Sequence, residues 1–251
     1  MRFVLSVLTL TILAALGGCD RFAPSTQMSD APIDVKDGET AEKPPIGSMP
    51  WALAGEWRGQ QERERDVWRH PGETLAFWGL KPDMRVVEVL PGRGWYTAVL
   101  APYLNAGGGS LLVAQFEPVT DAQRDTLAAF DKRFADAKLF GAIDRATLSA
   151  RSGPLGPANS ADMVILARNM HTLLSEGYAE KAFADFYAVL KPGGILGVEQ
   201  HRAASTGLQD PQASNGYVQE AYVKLFAAEA GFEFIASSEI NANARDDRDH
   251  P

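Results

Sequence analysis

Three groups of residues have types and spacings that can do chemistry. The first is Glu88, followed by Pro91-Gly92-Arg93-Gly94. Glycines let a backbone turn sharply and come close to a ligand, and a helix starting just after them offers free N–H groups. The second is Glu117, which closes an apolar run; a carboxylate is a natural acceptor for two vicinal hydroxyl donors. The third comprises Arg168-Asn169-Met170-His171 and Glu199-Gln200-His201-Arg202, each at the end of an apolar run. Histidine titrates near neutral pH, so His171 and His201 are candidate general bases toward an O- or N-nucleophile. Plain hydrogen-bonded packing is the competing reading for each. A metal site would need a further ligand such as Glu199 or Asp144, and nothing in the spacing demands one, so no metal is expected. Arg202 pairs either with an acidic substrate or with Glu199. Glu88 reads as a ligand contact or a structural acid, and Glu117 as a hydroxyl acceptor or a helix cap. Asp162 reads as structural. Trp95 and Tyr96 fit the core as well as a site.

The elements that must position these residues alternate. Buried, β-branched strands are predicted at Met84–Leu90, Ser110–Phe116 and Asp162–Ala167, with another at Ile195–Gln200. A weaker one follows from Ala146–Ala150, and Phe232–Ala236 reads as a last strand. Helical spacing covers Trp95–Leu104, Asp121–Phe140, Tyr178–Leu190 and Val218–Ala230. Upstream, Trp51, Leu53, Trp57, Val67 and Trp68 suggest covering helices; Pro71-Gly72 interrupts them, and Glu73–Leu80 forms a short helix. Lys191-Pro192-Gly193-Gly194 reads as a turn. Alternation of this kind implies a mostly parallel, doubly wound α/β sheet with right-handed crossovers and helices on both faces. Ligands of such sheets sit beyond the carboxyl ends of the strands, near the switch in strand order. Every candidate above falls at such an end.

The chain has 251 residues and a formal net charge of -8. That length suffices for one sizeable core, and the charge makes nucleic acid a poor default partner. Arg58, Arg63, Arg65 and Arg69 are interleaved with Glu56, Glu62, Glu64 and Asp66, as on a solvated helix face. The single cysteine, Cys19, excludes an intramolecular disulfide and a thiolate metal cluster.

Val86 to Thr97, Val-Val-Glu-Val-Leu-Pro-Gly-Arg-Gly-Trp-Tyr-Thr, resembles motif I of the class I S-adenosylmethionine-dependent methyltransferases. It is similar to a bacterial group of predicted methyltransferases in particular. The dinucleotide pattern G-x-G-x-x-G is absent. The resemblance spans about Trp51 to Ile240, within a domain read as residues 51–251. It implies the class I methyltransferase fold and S-adenosyl-L-methionine as cofactor, with a methyl group passed to an acceptor. By resemblance, Glu88, Pro91, Gly92 and Gly94 hold the cofactor, and Glu117 takes its ribose hydroxyls. Ala161–Leu166 with Arg168–His171 resembles motif IV, which would turn Asn169 and His171 toward the acceptor beside His201. Lys191–Gly194 resembles the turn that precedes the family's fifth strand. This sequence departs in two ways: Leu90 stands where the motif has its first glycine, and the final antiparallel strand is missing. Without that strand, an open gap is expected beside the fifth.

The N-terminus reads as an address. Arg2 is followed by an apolar run, Phe3–Leu16, and then by Leu16-Gly17-Gly18-Cys19. This resembles a bacterial lipoprotein signal, in which residues 1–19 carry the signal and the lipobox and Cys19 is lipidated. Two or more acyl chains would hold the protein stably on a membrane. Residues 20–50 read as a flexible linker. The expected location is the cell envelope, facing the periplasm, and Asp20 by resemblance favours the inner membrane. Two other readings stand beside the methyltransferase. One is a non-catalytic envelope lipoprotein that binds a nucleoside-like ligand. The other is a metal-dependent hydrolase using His171 and His201.

Overall fold

The computed structural model describes residues 42–246 and the backbone of Arg2–Ser6. The lipobox, Cys19 and most of the expected linker lie outside these residues. The chain's first strand, β1 (Arg2–Ser6), is followed by four short helices: α1 (Met49–Ala54), α2 (Gln60–Arg63), α3 (Asp66–Arg69) and α4 (Pro71–Phe77). Next come β2 (Arg85–Val89), α5 (Thr97–Gly107), β3 (Ser110–Phe116), α6 (Asp121–Arg133) and α7 (Ala137–Phe140). The remainder is β4 (Ile143–Leu148), β5 (Ala161–Ala167), α8 (Met170–Ser175), α9 (Ala179–Val189), β6 (Leu190–Glu199), α10 (Glu220–Glu229) and β7 (Glu233–Ser238).

The strands form a seven-stranded sheet in the order β4-β3-β2-β5-β6-β1-β7. Each pairing between these strands is parallel. From β2 the chain steps outward through β3 and β4, then returns to lay β5 and β6 on the other side. The switch in strand order therefore falls between β2 and β5.

Strand periodicity divides the apolar residues between two cores, one on each face. Val87, Val89, Leu112, Ala114, Val164 and Leu166 join Phe183 and Phe186 of α9. Val86, Leu111, Val113, Met163 and Ile165 join Leu100 and Leu104 of α5. Each fully buried Val, Leu, Ile or Phe contributes about 1.5–3 kcal/mol, so both sheet faces must be covered. Glu88 falls between Val87 and Val89, on the α5 side.

Several expectations are corrected. Pro71 does not interrupt a helix; it sits at the first position of α4, where its missing N–H costs nothing. The run Asp121–Phe140 is two helices, because Asp136 caps α7 afresh by accepting from the N–H groups of Lys138 and Leu139. The weak strand runs from Ile143 to Leu148 rather than from Ala146 to Ala150. Lys191–Gly194 is drawn into β6, whose pairing with β5 shifts register between Ala161 and Met163. Val218 stays outside α10 because it bridges to Arg202. The helix α1 begins at Met49, next to the expected linker boundary at about Pro50. Arg58 is not on a solvated face. It is 0% exposed, and its guanidinium donates to both carboxylate oxygens of Asp66 and to the Leu53 carbonyl. A buried arginine needs such partners.

The gap expected beside the fifth strand is filled. β1 pairs with β6 through Arg2↔Ile195 to Ser6↔Glu199, and with β7 on its other edge.

Candidate functional site

A cleft of about 580 Å³ opens at the carboxyl ends of the strands, over the switch point. One wall is the turn after β2, represented by Leu90, Pro91 and Gly92. The end of β3 supplies Phe116 and Glu117, and the end of β4 supplies Leu148 and Ser149. Asn169, just beyond β5, stands opposite. The volume is within the usual range for small-molecule sites.

The turn holds its shape by two devices. Leu90 adopts φ 49 and Gly92 φ 58. A left-handed conformation costs a leucine roughly 1–2 kcal/mol, so Leu90, which replaces the motif's glycine, keeps glycine's backbone at an energetic cost. Asn169 helps to hold it there. Its Nδ2 donates to the Leu90 carbonyl at 3.0 Å and to the Ala167 carbonyl at 2.9 Å, tying the ends of β2 and β5 together. The two glycines differ in purpose. A Cβ on Gly92 would meet open space, whereas one on Gly94 would lie 2.4 Å from the Phe134 ring. Gly94 (φ 83) lets α6 pack against the turn and does not line the cleft.

Glu88 does not line the cleft either. It is 3% exposed, and its Oε2 accepts the Thr97 hydroxyl at 2.6 Å. Burial pushes its carboxyl up to about 7, against the Thr97 hydrogen bonds. Glu117 is exposed at the mouth and accepts from the Ser149 hydroxyl at 3.1 Å. It does not cap α6; Thr120 does, through a capping box with Gln123.

Arg168, the residue before Asn169, lines a smaller cavity of about 190 Å³. Its lining includes Arg69, His70, Arg168, Glu199 and His201, with Asn241 from the chain's far end. Glu199 is 5% exposed and accepts the Tyr96 hydroxyl at 2.9 Å. Burial raises the pKa of Glu199, and burial together with the Glu199 charge raises that of Tyr96 well above its ordinary value. Tyr96 is therefore core and site support at once. His201 is pushed down to about 4, first by burial and then by the Arg168 charge. It is neutral at pH 7 and a weaker base than free imidazole. His171 lines neither cavity; its Nδ1 lies 3.2 Å from Gln200 Nε2. Arg202 does not pair with Glu199. It bonds Glu220 and Glu239 instead. Asp162 accepts from the Arg85 backbone and from Lys191 at the opposite end of the sheet, as a structural acid. Among the described residues, no group of three or more His, Cys, Asp or Glu side chains is arranged to hold a metal.

Arg69, His70 and Asn241 were not legible as site residues, because they lie far from the motifs in sequence. His70 carries one local signal: it precedes Pro71 and adopts φ 37 at the junction of α3 and α4. Its Nδ1 lies 3.3 Å from Asn241 Oδ1, which ties the chain's far end to the rim.

No family model matches the sequence, and no curated protein matches it either. Solved structures are similar to it. A SAM-dependent methyltransferase from Aquifex aeolicus aligns over 67% of this chain and 82% of its own, at 20% identity and a TM-score of 0.52. An arsenic(III) S-adenosylmethionine methyltransferase from Chlamydomonas reinhardtii covers 75% of this chain and 62% of its own (20% identity, TM-score 0.47). The glycopeptide N-methyltransferase MtfA, complexed with S-adenosyl-L-homocysteine, covers 56% and 53% (18% identity, TM-score 0.41). The first likeness, with the strand order, defines the class of architecture: a Rossmann-like class I methyltransferase fold. Identity this low establishes fold alone.

Proposed function

We propose that this protein is an S-adenosylmethionine-dependent methyltransferase whose cofactor lies in the larger cleft. The observation that carries this reading is position. The cleft lies over the β2/β5 switch point, walled by the Pro91-Gly92 turn and by Glu117 at the end of the neighbouring strand. The residues fit the group. Gly92 leaves open space beside the turn. Phe116, Leu127 and Leu148 offer apolar walls for a flat ring system. Glu117, with Ser149 as its one hydrogen-bond partner among the described residues, is available to two vicinal hydroxyls.

The cofactor supplies a methyl group already activated on a sulfonium. The chain's own residues therefore position, orient and exclude water. Pro91 and Gly92 shape the turn, Asn169 fixes its distance from β5, and Glu117 orients the ribose end. Glu88 acts from behind, through Thr97 at the start of α5, as a positioning residue. His201 faces the acceptor side as a neutral imidazole able to accept a proton. His171 orients Gln200, whose Oε1 accepts the Met170 N–H at 3.1 Å. Glu117→Ala should weaken S-adenosylhomocysteine binding about tenfold in calorimetric titration; unchanged affinity sinks the ribose assignment.

The second reading, an envelope lipoprotein that binds a nucleoside-like ligand without turnover, uses the same cleft. It is favoured if binding occurs and no methyl group is lost from any bound cofactor. We also propose that Cys19 is lipidated and that the domain stands at the cell envelope, facing the periplasm. The support is the order of charge, apolar run, small residues and cysteine in the sequence. Cleavage before Cys19 would remove β1 from the sheet. Mass spectrometry of the membrane-extracted chain decides it: an N-terminus at acylated Cys19 is expected, and an intact Met1 with an unmodified thiol overturns it.

A further inference from the structure

The cavity lined by Arg168 has features that the cofactor reading does not use. Arg168 is a non-glycine residue held at φ 59, with its backbone N–H donated to the Glu199 carbonyl at 2.6 Å. Strain of this kind persists only where the surroundings enforce it, and it clusters at functional sites. The strain puts Arg168 at the rim of the cavity, yet its guanidinium makes no hydrogen bond or ion pair to any described residue. Arg69 lies on the same wall. Its guanidinium stacks on the Trp95 ring at 4.9 Å, and no carboxylate of a described residue is in ion-pair contact with it. The third arginine, Arg202, is already bonded to Glu220 and Glu239. The acids of the lining are also engaged: Glu199 accepts Tyr96, and Asp246 accepts Tyr217. Two guanidiniums thus line a small polar space with no direct carboxylate contact to either among the described residues, Glu199 reaching them only through its field. Burial is the first cause that lowers both His201 and Arg69; Arg168 lowers each further, while Asp246 raises His201 and Glu199 raises Arg69.

We propose that this cavity binds the carboxylate or phosphate oxygens of a small anionic acceptor, with Arg168 and Arg69 as the anion-holding residues. This deepens the methyltransferase reading by naming the acceptor's class, and it rests on that reading for the word acceptor alone. Planar guanidiniums match carboxylate and phosphate oxygens in geometry and are weakly hydrated, which suits them to a partly buried site. The cavity volume, about 190 Å³, limits the occupant to a compact group rather than a polymer segment.

The test is calorimetric titration of the full chain with inorganic phosphate, with acetate and, as a cationic control, with choline. S-adenosylhomocysteine is titrated separately into the wild type. At least one of the two anions is expected to bind at one site and choline not at all. Arg168→Gln should weaken the anion at least tenfold and Arg168→Lys less. Arg124→Gln, on exposed α6, should leave it unchanged. Each variant is compared only after its thermal transition has been shown to be cooperative. A wild type that binds neither anion overturns the proposal, as does an Arg168→Gln protein that binds them as well as wild type. Anion binding without S-adenosylhomocysteine binding leaves this site standing and removes the cofactor reading. The converse result removes this site alone. A lipid headgroup presents the same oxygens. Co-sedimentation with phosphatidylglycerol vesicles that Arg168→Gln abolishes assigns the lipid as source, and phosphate binding without co-sedimentation assigns a soluble anion.

Discussion

Two of the cavities at the carboxyl rim, one lined by Asn169 and the other by its neighbour Arg168, differ in how they are built. The larger cleft is defined by backbone. Its turn depends on Leu90 and Gly92 in left-handed conformations and on Gly94 packed against Phe134, and its lining carries Glu117 and Glu176. The smaller cavity is defined by side chains with charge. Arg69, Arg168, Glu199 and His201 arrive from α3, the end of β5 and the end of β6; burial first, and then neighbouring charges, shift Arg69, Glu199 and His201. The contrast fits a division of labour. A shaped cleft suits a ligand that brings its own reactivity, and a charged pocket suits selection of the partner.

Substitutions can break or sharpen this contrast. The largest effect is expected from Gly94→Ala. A Cβ there overlaps the Phe134 ring and also demands a left-handed alanine, so a loss of about 3 kcal/mol or more is expected in urea denaturation. Gly92→Ala, in the same turn but facing open space, should cost about 1 kcal/mol; equal losses for the two would refute their separate roles. Asn169→Ala removes both bonds that tie β2 to β5 and should cost about 2 kcal/mol, with the turn's amides exchanging faster.

The pH dependence comes next. Glu88 has its folded pKa raised to about 7, against an ordinary value of 4.5. Between those values the folded state holds the extra proton, so this group's contribution is full below about 4.5 and is lost as pH rises through about 7. Glu88→Gln should flatten that loss and leave the protein more stable than wild type at pH 8, by up to ~3 kcal/mol at about 1.4 kcal/mol per unit. Melting curves across pH check this. His201 works in the opposite sense. Its folded pKa is depressed to about 4, so its contribution is present above about 6.5 and is lost as pH falls through 4. His201→Gln should make a smaller difference, confined to the acid side.

The same contrast explains what could be read in advance. Strand and helix alternation, the turn glycines and the acid closing β3 are local signals, so the sheet and the cleft were legible from Val86–Thr97 and Glu117. Arg69, His70 and Asn241 reach the small cavity only through tertiary packing of segments far apart in the chain, and no periodicity marks them. The fully buried Arg58 was misread for the same reason. Its partners, Asp66 and the Leu53 carbonyl, become visible only when α1, α2 and α3 fold back on each other. The strand at Arg2–Ser6 was hidden by competition between readings. An apolar run suits both a leader and a buried strand, and composition does not separate them.

The most direct test of the central claim is a crystal structure of this chain grown with S-adenosylhomocysteine. The account predicts density in the cleft between the Pro91-Gly92 turn and Glu117, with the ribose hydroxyls donating to the Glu117 carboxylate. A ligand found elsewhere, or an empty cleft at saturating ligand, would contradict it.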